Sequence, residues 1–128
     1  MNSMRLLLDT HVLLWQLSDD PHQKPTTHAM IADPSNEIFV SACSVWEISI
    51  KQAAKKIEAP DDLLAQLVDH ELVELPISAA HALRAGGLPP HHGDPFDRML
   101  VAQAQVEGLT LVSKDRQLAA YDVALHPA

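Results

Sequence analysis

The run Leu6-Leu7-Leu8-Asp9 constrains this chain more than any other segment. Consecutive apolar residues without alternation predict a strand covered on both faces. Such strands belong to parallel sheets with helices packed above and below. Asp9 closes the run at the strand's carboxyl end, and ligands of open α/β sheets bind beyond those ends. One short segment thus points both to a fold and to the rim where chemistry should be sought.

The remainder of the chain repeats the pattern. Residues 4–9 read as the first strand, followed by a buried helix over Thr10–Leu17 that Ser18-Asp19-Asp20-Pro21 ends. A weaker helix covers Thr26–Ala32. Glu37–Ser41 reads as a second buried strand. From Ser44, the apolar residues Trp46, Ile50, Ala53 and Ile57 recur at helical spacing. Pro60 opens a helix through Val68, Leu72–Leu75 reads as a third strand, and Ser78–Ala85 as a short helix. Residues 86–93 form an irregular loop. Pro95–Glu107 is a strong helix capped by Gly108. Leu109–Ser113 is the fourth strand, Lys114–Ala120 a short helix and Val123–Leu125 a final edge strand. Alternating strands and helices predict an α/β fold with a mainly parallel central sheet of four to five strands.

At 128 residues, the length suits a single domain over 1–128. With 47% apolar and 20% charged residues, the composition excludes disordered and low-complexity classes. No apolar run approaches the ~20 residues that cross a bilayer. The run at 6–8 is too short for a signal-peptide core. The lone Cys43 excludes a disulfide framework and a cysteine zinc site, and is expected to be buried rather than reactive. A cytoplasmic protein is the simplest expectation. Seventeen acidic against nine basic residues give a net charge of -8. A broad basic surface for nucleic acid is therefore excluded. Any chemistry on phosphate requires metal ions, local basic patches or a partner subunit.

Three acids, Asp9, Glu47 and Asp115, are expected at the same rim, and Asp97 joins them if its helix, which follows a loop rather than a strand, also starts there. Asp9 ends the first strand, and Asp115 follows the fourth by two residues. Glu47 lies early in the helix after the second strand, and Asp97 in the first turn of the helix before the fourth. Converging carboxylates cannot all ionise without compensation. Hard divalent cations, Mg²⁺ or Mn²⁺, supply it. Such a site suits hydrolysis of a phosphodiester, in which the metal polarises the phosphoryl oxygen and activates a water. Each acid also has a plainer reading. Asp9 can cap the first helix, Glu47 can pair with Lys51 four residues on, and Asp115 can cap the turn after it. Asp94, before Pro95, is read mainly as a structural cap.

Among the basic residues, Lys51, Arg98, Lys114 and Arg116 lie beside the acids in sequence and are candidates for holding phosphate. His91 and His92 precede the Asp94–Asp97 segment. No His-x-His or His-x-x-x-His pair occurs, so loop positioning or substrate contact is expected of His92 rather than a histidine metal site. His22, His28, His70, His81 and His126 read as scattered surface residues. Trp15, Trp46 and Ile48 are candidates for an apolar groove beside the acids.

These segments resemble a known family in order. Leu6–Asp9-Thr10-His11-Val-Leu-Leu-Trp15 resembles the opening of PIN-domain toxins of the VapC type. Ser44-Val-Trp46-Glu47-Ile-Ser-Ile-Lys51 resembles their second motif, His92-Gly-Asp94-Pro95-Phe96-Asp97-Arg98 their third, and Leu111-Val-Ser113-Lys114-Asp115 their fourth. The resemblance covers nearly the whole chain and places Met1–Ser3 upstream of the usual start, with Met4 as a candidate first residue.

The resemblance implies a PIN-like three-layer α/β/α sandwich and a metal-dependent endoribonuclease, the toxin of a type II toxin–antitoxin pair. The family's acidic quartet falls on Asp9, Glu47, Asp97 and Asp115, and its hydroxyl position on Ser113. It further implies a cognate antitoxin that inserts a segment at the site, homodimers, and larger toxin–antitoxin assemblies. Three other classes compete. A small haloacid-dehalogenase-like phosphatase wants a second Asp two residues after the first, and His11-Val12 follow instead. A phosphoacceptor domain wants paired acids after the first strand, and only Asp9 is there. A non-catalytic interaction module would use the acids as caps.

Overall fold

The computed structural model describes residues 3–128, so part of the segment Met1–Ser3 lies outside the described residues. In chain order the elements are β1 (Arg5–Leu8), α1 (Thr10–Ser18), α2 (Pro25–Ala32), β2 (Glu37–Ser41), α3 (Ala42–Ala53) and α4 (Leu63–Asp69). They continue with β3 (Val73–Leu75), α5 (Ala79–Gly87), α6 (Pro95–Glu107), β4 (Thr110–Ser113), a short 3-10 helix over Arg116–Ala120, and β5 (Leu125–Pro127). The five strands form one sheet in the order β3-β2-β1-β4-β5, every pair parallel. β1 pairs Leu7 with Phe39 on one side and with Leu111 on the other.

This central place explains the apolar run. Leu6 and Leu8 point into one core with Val12 and Leu13 of α1, Ile31 of α2, Ile48 of α3 and Leu67 of α4. Leu7 points the other way, into a core with Leu100, Val101 and Ala104 of α6 and Leu118 of the 3-10 helix. All three leucines are fully buried. The result is a helix–sheet–helix sandwich, with α5 laid against α6.

The strand order also fixes the site. From β1 the chain moves outward through β2 and β3, then returns to the opposite flank with β4 and β5. The order reverses between β1 and β4, the switch point where diverging connections leave a crevice. Asp9 leaves β1 at that point and Ser113 ends β4 beside it.

Several boundaries differ from the sequence expectation. α3 starts earlier, at Ala42, and ends at Ala53 rather than running to Ile57. Lys55 takes a left-handed conformation (φ 58), and the Lys56 N–H returns to the Lys51 carbonyl at 2.8 Å. The same closing bond recurs after Asp19, Glu71 and Gly108, all at positive φ. α4 begins at Leu63, not Pro60. α5 extends through Gly87, so the expected loop starts later. The last strand is Leu125–Pro127 rather than 123–125. His81 is not a surface residue: it is 2% exposed, its Nδ1 accepts the Ser78 N–H, and its Nε2 meets Glu107 at 2.8 Å.

The helix ends generate a paired test. Gly108→Ala forces a side chain into the left-handed region and should cost about 1 kcal/mol, whereas Lys55→Gly relieves that strain and should be neutral or stabilising. Urea denaturation of both variants checks the pair, and equal losses would contradict the shared closing motif.

Candidate active site

The four acids and their neighbours line one pocket of about 340 Å³: Asp9, Glu47, Asp97 and Asp115 with Asp94, Thr10, His11, Lys51 and Lys114. Each acid is delivered by a different piece of local structure. Asp9 is the N-cap of α1, Oδ1 accepting the Val12 N–H at 2.8 Å. Its Oδ2 accepts the hydroxyl of Ser113, which itself accepts the Asp115 N–H at 3.0 Å. Glu47 projects from the second turn of α3 and is 5% exposed. Its Oε1 accepts the Thr10 hydroxyl at 2.6 Å, and its Oε2 is paired with Lys51 one turn along. Asp97 lies in the first turn of α6, behind the N-cap Asp94, whose Oδ1 takes the N–H groups of Phe96 and Asp97. Asp115 caps the 3-10 helix through the Gln117 N–H. The capping and pairing roles read from the sequence are therefore real, and they coexist with convergence on the pocket.

Other candidates are placed differently from their sequence neighbourhood. Lys51 and Lys114 reach the pocket, and the Lys114 ammonium also stands over the Trp15 ring at 5.3 Å. Arg98 does not line the pocket. Its guanidinium donates to the carbonyls of Ala85, Leu88 and Pro89 at 2.9–3.0 Å, holding the 85–92 segment against α6. Arg116 is exposed and lies outside the pocket lining. Ile48 is 1% exposed and belongs to the core, so it cannot form a groove. Trp46 is 59% exposed and meets Phe96 edge-on. A larger cleft of about 720 Å³ adjoins the pocket through His11, with Trp15, Leu14 and Ile57 in its walls. His92 lies in the loop before α6, and its ring stands between two of the acids, 2.9 Å from Asp115 Oδ2 and 3.1 Å from Asp97 Oδ2.

The electrostatics follow from burial and crowding. Burial raises the Asp9 carboxyl above its ordinary range, against the lowering effect of the Ser113 and Val12 bonds. Burial, with the charge of Asp94 behind it, pushes Asp97 up to about 6 from 3.8. Burial and the nearby acids push the Cys43 thiol up to about 12, which leaves it inert, as its place in the sequence suggested. Asp97 Oδ1 receives no donor among the described residues. A set of carboxylates supplying hard oxygen, crowded enough to resist ionisation and with one oxygen that receives no donor, fits a hard divalent cation.

The chain matches the PIN domain family model over residues 6–124. It is 32% identical over 117 residues to Ribonuclease VapC22 of Mycobacterium tuberculosis, with 88% of each chain covered. In fold it is similar to VapBC2 from Rickettsia felis bound to a promoter DNA fragment (TM-score 0.69, 18% identity, 97% of this chain and 98% of that chain). DNA-bound VapBC from Salmonella typhimurium gives TM-score 0.67 at 20% identity, again over 97% and 98%.

Asp97 carries a stability cost with a defined sign. Its raised pKa means the native state binds a proton that the unfolded chain releases, so stability falls as pH rises from 3.8 through about 6 and stays lower above. Asp97→Asn should therefore stabilise the fold at pH 7.5 by about 1–2 kcal/mol, with the gain vanishing below pH 4. Urea titrations at the two pH values measure it; a gain of the same size at both would contradict the assignment.

Proposed function

This chain belongs to the PIN-domain family, with the VapC ribonucleases among its relatives, and we propose that it is a metal-dependent endoribonuclease acting as the toxin of a toxin–antitoxin pair. The observation that carries the reading is the convergence of Asp9, Glu47, Asp97 and Asp115 on one pocket at the switch point of the sheet. Asp9, Asp97 and Asp115 would hold Mg²⁺ or Mn²⁺, with Glu47 binding directly or through water. Bound there, the cation supplies Lewis-acid polarisation of the scissile phosphate and lowers the pKa of a water.

The chain's own side chains do the rest. Ser113 and the Val12 N–H fix the rotamer of Asp9. Thr10 and Lys51 fix Glu47 and offset its charge. Lys114, exposed at the rim, offers a cation to the RNA backbone, which a surface of net charge -8 does not otherwise attract. Lys51 is already paired and assists from within the pocket. Arg98 organises the fold around the site rather than holding phosphate.

The acidic pocket also suits inhibition by a basic segment. An antitoxin arginine would form bidentate pairs with Asp9 or Asp97 and displace the metal. The adjoining cleft, with Trp15, Leu14 and Ile57, gives the apolar part of such a segment a place to lie. Two copies of the chain are expected to associate about a two-fold axis, the commonest closed symmetry, and pairs with antitoxin give larger assemblies. The reading places the protein in the cytoplasm, where the unpaired Cys43 is at home.

The purified chain should cleave single-stranded or looped RNA with Mg²⁺ or Mn²⁺ and lose activity in EDTA. Asp9→Asn and Asp97→Asn should each reduce cleavage at least ~100-fold, the scale of losing an electrostatic element that acts on the transition state. Full activity in chelator would sink the mechanism. Replacing the basic residues of the co-purifying antitoxin should weaken inhibition.

A further inference from the structure

The Arg98 fan and the His92 ring form one device. His92 is fixed first through its backbone. Its N–H donates to the Tyr121 hydroxyl at 2.9 Å, and its carbonyl accepts from Arg98 at 3.4 Å. Arg98 also reaches the Tyr121 hydroxyl at 3.3 Å, so loop, helix and the residue after the 3-10 helix close on one another. The ring is then fixed by a group whose role admits no choice. The Asp94 backbone N–H, which can only donate, points at His92 Nδ1 at 3.2 Å. Nδ1 must present its lone pair, and the proton of the neutral ring therefore sits on Nε2.

That proton is aimed at the acids. Nε2 lies 2.9 Å from Asp115 Oδ2 in hydrogen-bonding geometry, with Asp97 Oδ2 at 3.1 Å. Asp97 comes from α6 and Asp115 from the segment after β4, and nothing else among the described residues bridges them. The three ligand-type atoms lie within 4.8 Å of one another, which an imidazole–carboxylate metal site would also require. The two roles demand opposite tautomers. Ligation through Nε2 would leave a neutral ring's proton on Nδ1, head to head with the Asp94 N–H.

We propose that His92 is a positioning residue: its Nε2–H donates to Asp115 and the ring, set against Asp97, keeps the two acids side by side for the divalent cation, and the imidazole is not itself a ligand. The proposal rests on the reading that the quartet binds a metal. It assigns Asp115 Oδ2 to His92, with Asp97 Oδ2 beside the same nitrogen, and leaves Asp97 Oδ1 without a donor among the described residues. It also keeps the donor set pure oxygen, so the site retains a preference for hard ions that a nitrogen ligand would shift towards zinc and its neighbours.

Long-range ¹H–¹⁵N spectra of the histidine-labelled protein test the tautomer directly, without metal and during titration with MgCl₂. The expected result is a protonated Nε2 and a bare Nδ1 on His92 in both states. A reversed tautomer, or loss of the Nε2 proton as Mg²⁺ binds, would overturn the proposal. Calorimetric titration of variants supplies the second arm. His92→Ala should weaken Mg²⁺ binding roughly 10-fold or more, as removal of an orienting partner does, and His92→Gln, which restores an N–H at similar reach, should recover most of it. The ratio of Zn²⁺ to Mg²⁺ affinity should be the same in parent and variants. Unchanged Mg²⁺ affinity in His92→Ala, or a loss confined to Zn²⁺, overturns the positioning role. A parent that binds no divalent cation fails the functional reading instead, and does so before any variant is compared.

Discussion

Four carboxylates that face one small pocket repel one another, and much of the polar chemistry of this protein answers that repulsion. At ~4 Å, two unit charges at a partly buried site oppose each other by several kcal/mol. Asp9 is held by a hydroxyl and a backbone amide, Glu47 by a hydroxyl and an ammonium, Asp115 by an imidazole and a backbone amide. Asp9 and Asp97 are both held above the ordinary carboxylate range, chiefly by burial, and Asp97, with Asp94 behind it, is pushed up to about 6. A fold relieved of the Asp97 charge would be more stable at neutral pH. Carboxylates crowded into one pocket with raised pKa values are the pattern of a site built for chemistry.

The scaffold was legible where one physical rule dominated. Unalternating leucines at 6–8 can only be a doubly covered strand, and an acid at its end can only reach the carboxyl rim. Asp9, Glu47 and Asp115 were legible for the same reason: once strands and helices alternate, their ends share one side, a rule that did not reach Asp97, whose helix follows a loop. Capping and convergence on the pocket did not compete, because a carboxylate oxygen has lone pairs enough for an amide and a further partner.

What stayed hidden depended on contacts between distant segments. Four helices close with the same left-handed residue, yet only Gly108 announces it; Asp19, Lys55 and Glu71 do so without the glycine signature. Arg98 stands next to Asp97 in sequence and so looked like a phosphate ligand, but a helix turns adjacent residues about 100° apart. That rotation sends its guanidinium to loop carbonyls. His81 was missed although a signal existed. Ser78 and His81 stand at the spacing of a capping box, with histidine in the place of the usual Glu or Gln.

The margins of the sheet have a consequence for how the chain behaves when it is alone. A parallel sheet with open edges invites a further strand from any neighbouring chain. Here both edges offer little to copy. β3 is three residues long and carries Glu74, and β5 is equally short and ends in Pro127, which has no amide hydrogen to give. The apolar strand β1 is kept at the centre, two strands from either edge. The sequence most able to aggregate is thus the one least able to meet another copy of itself, and the fold resists fibrillar pairing by the order of its strands.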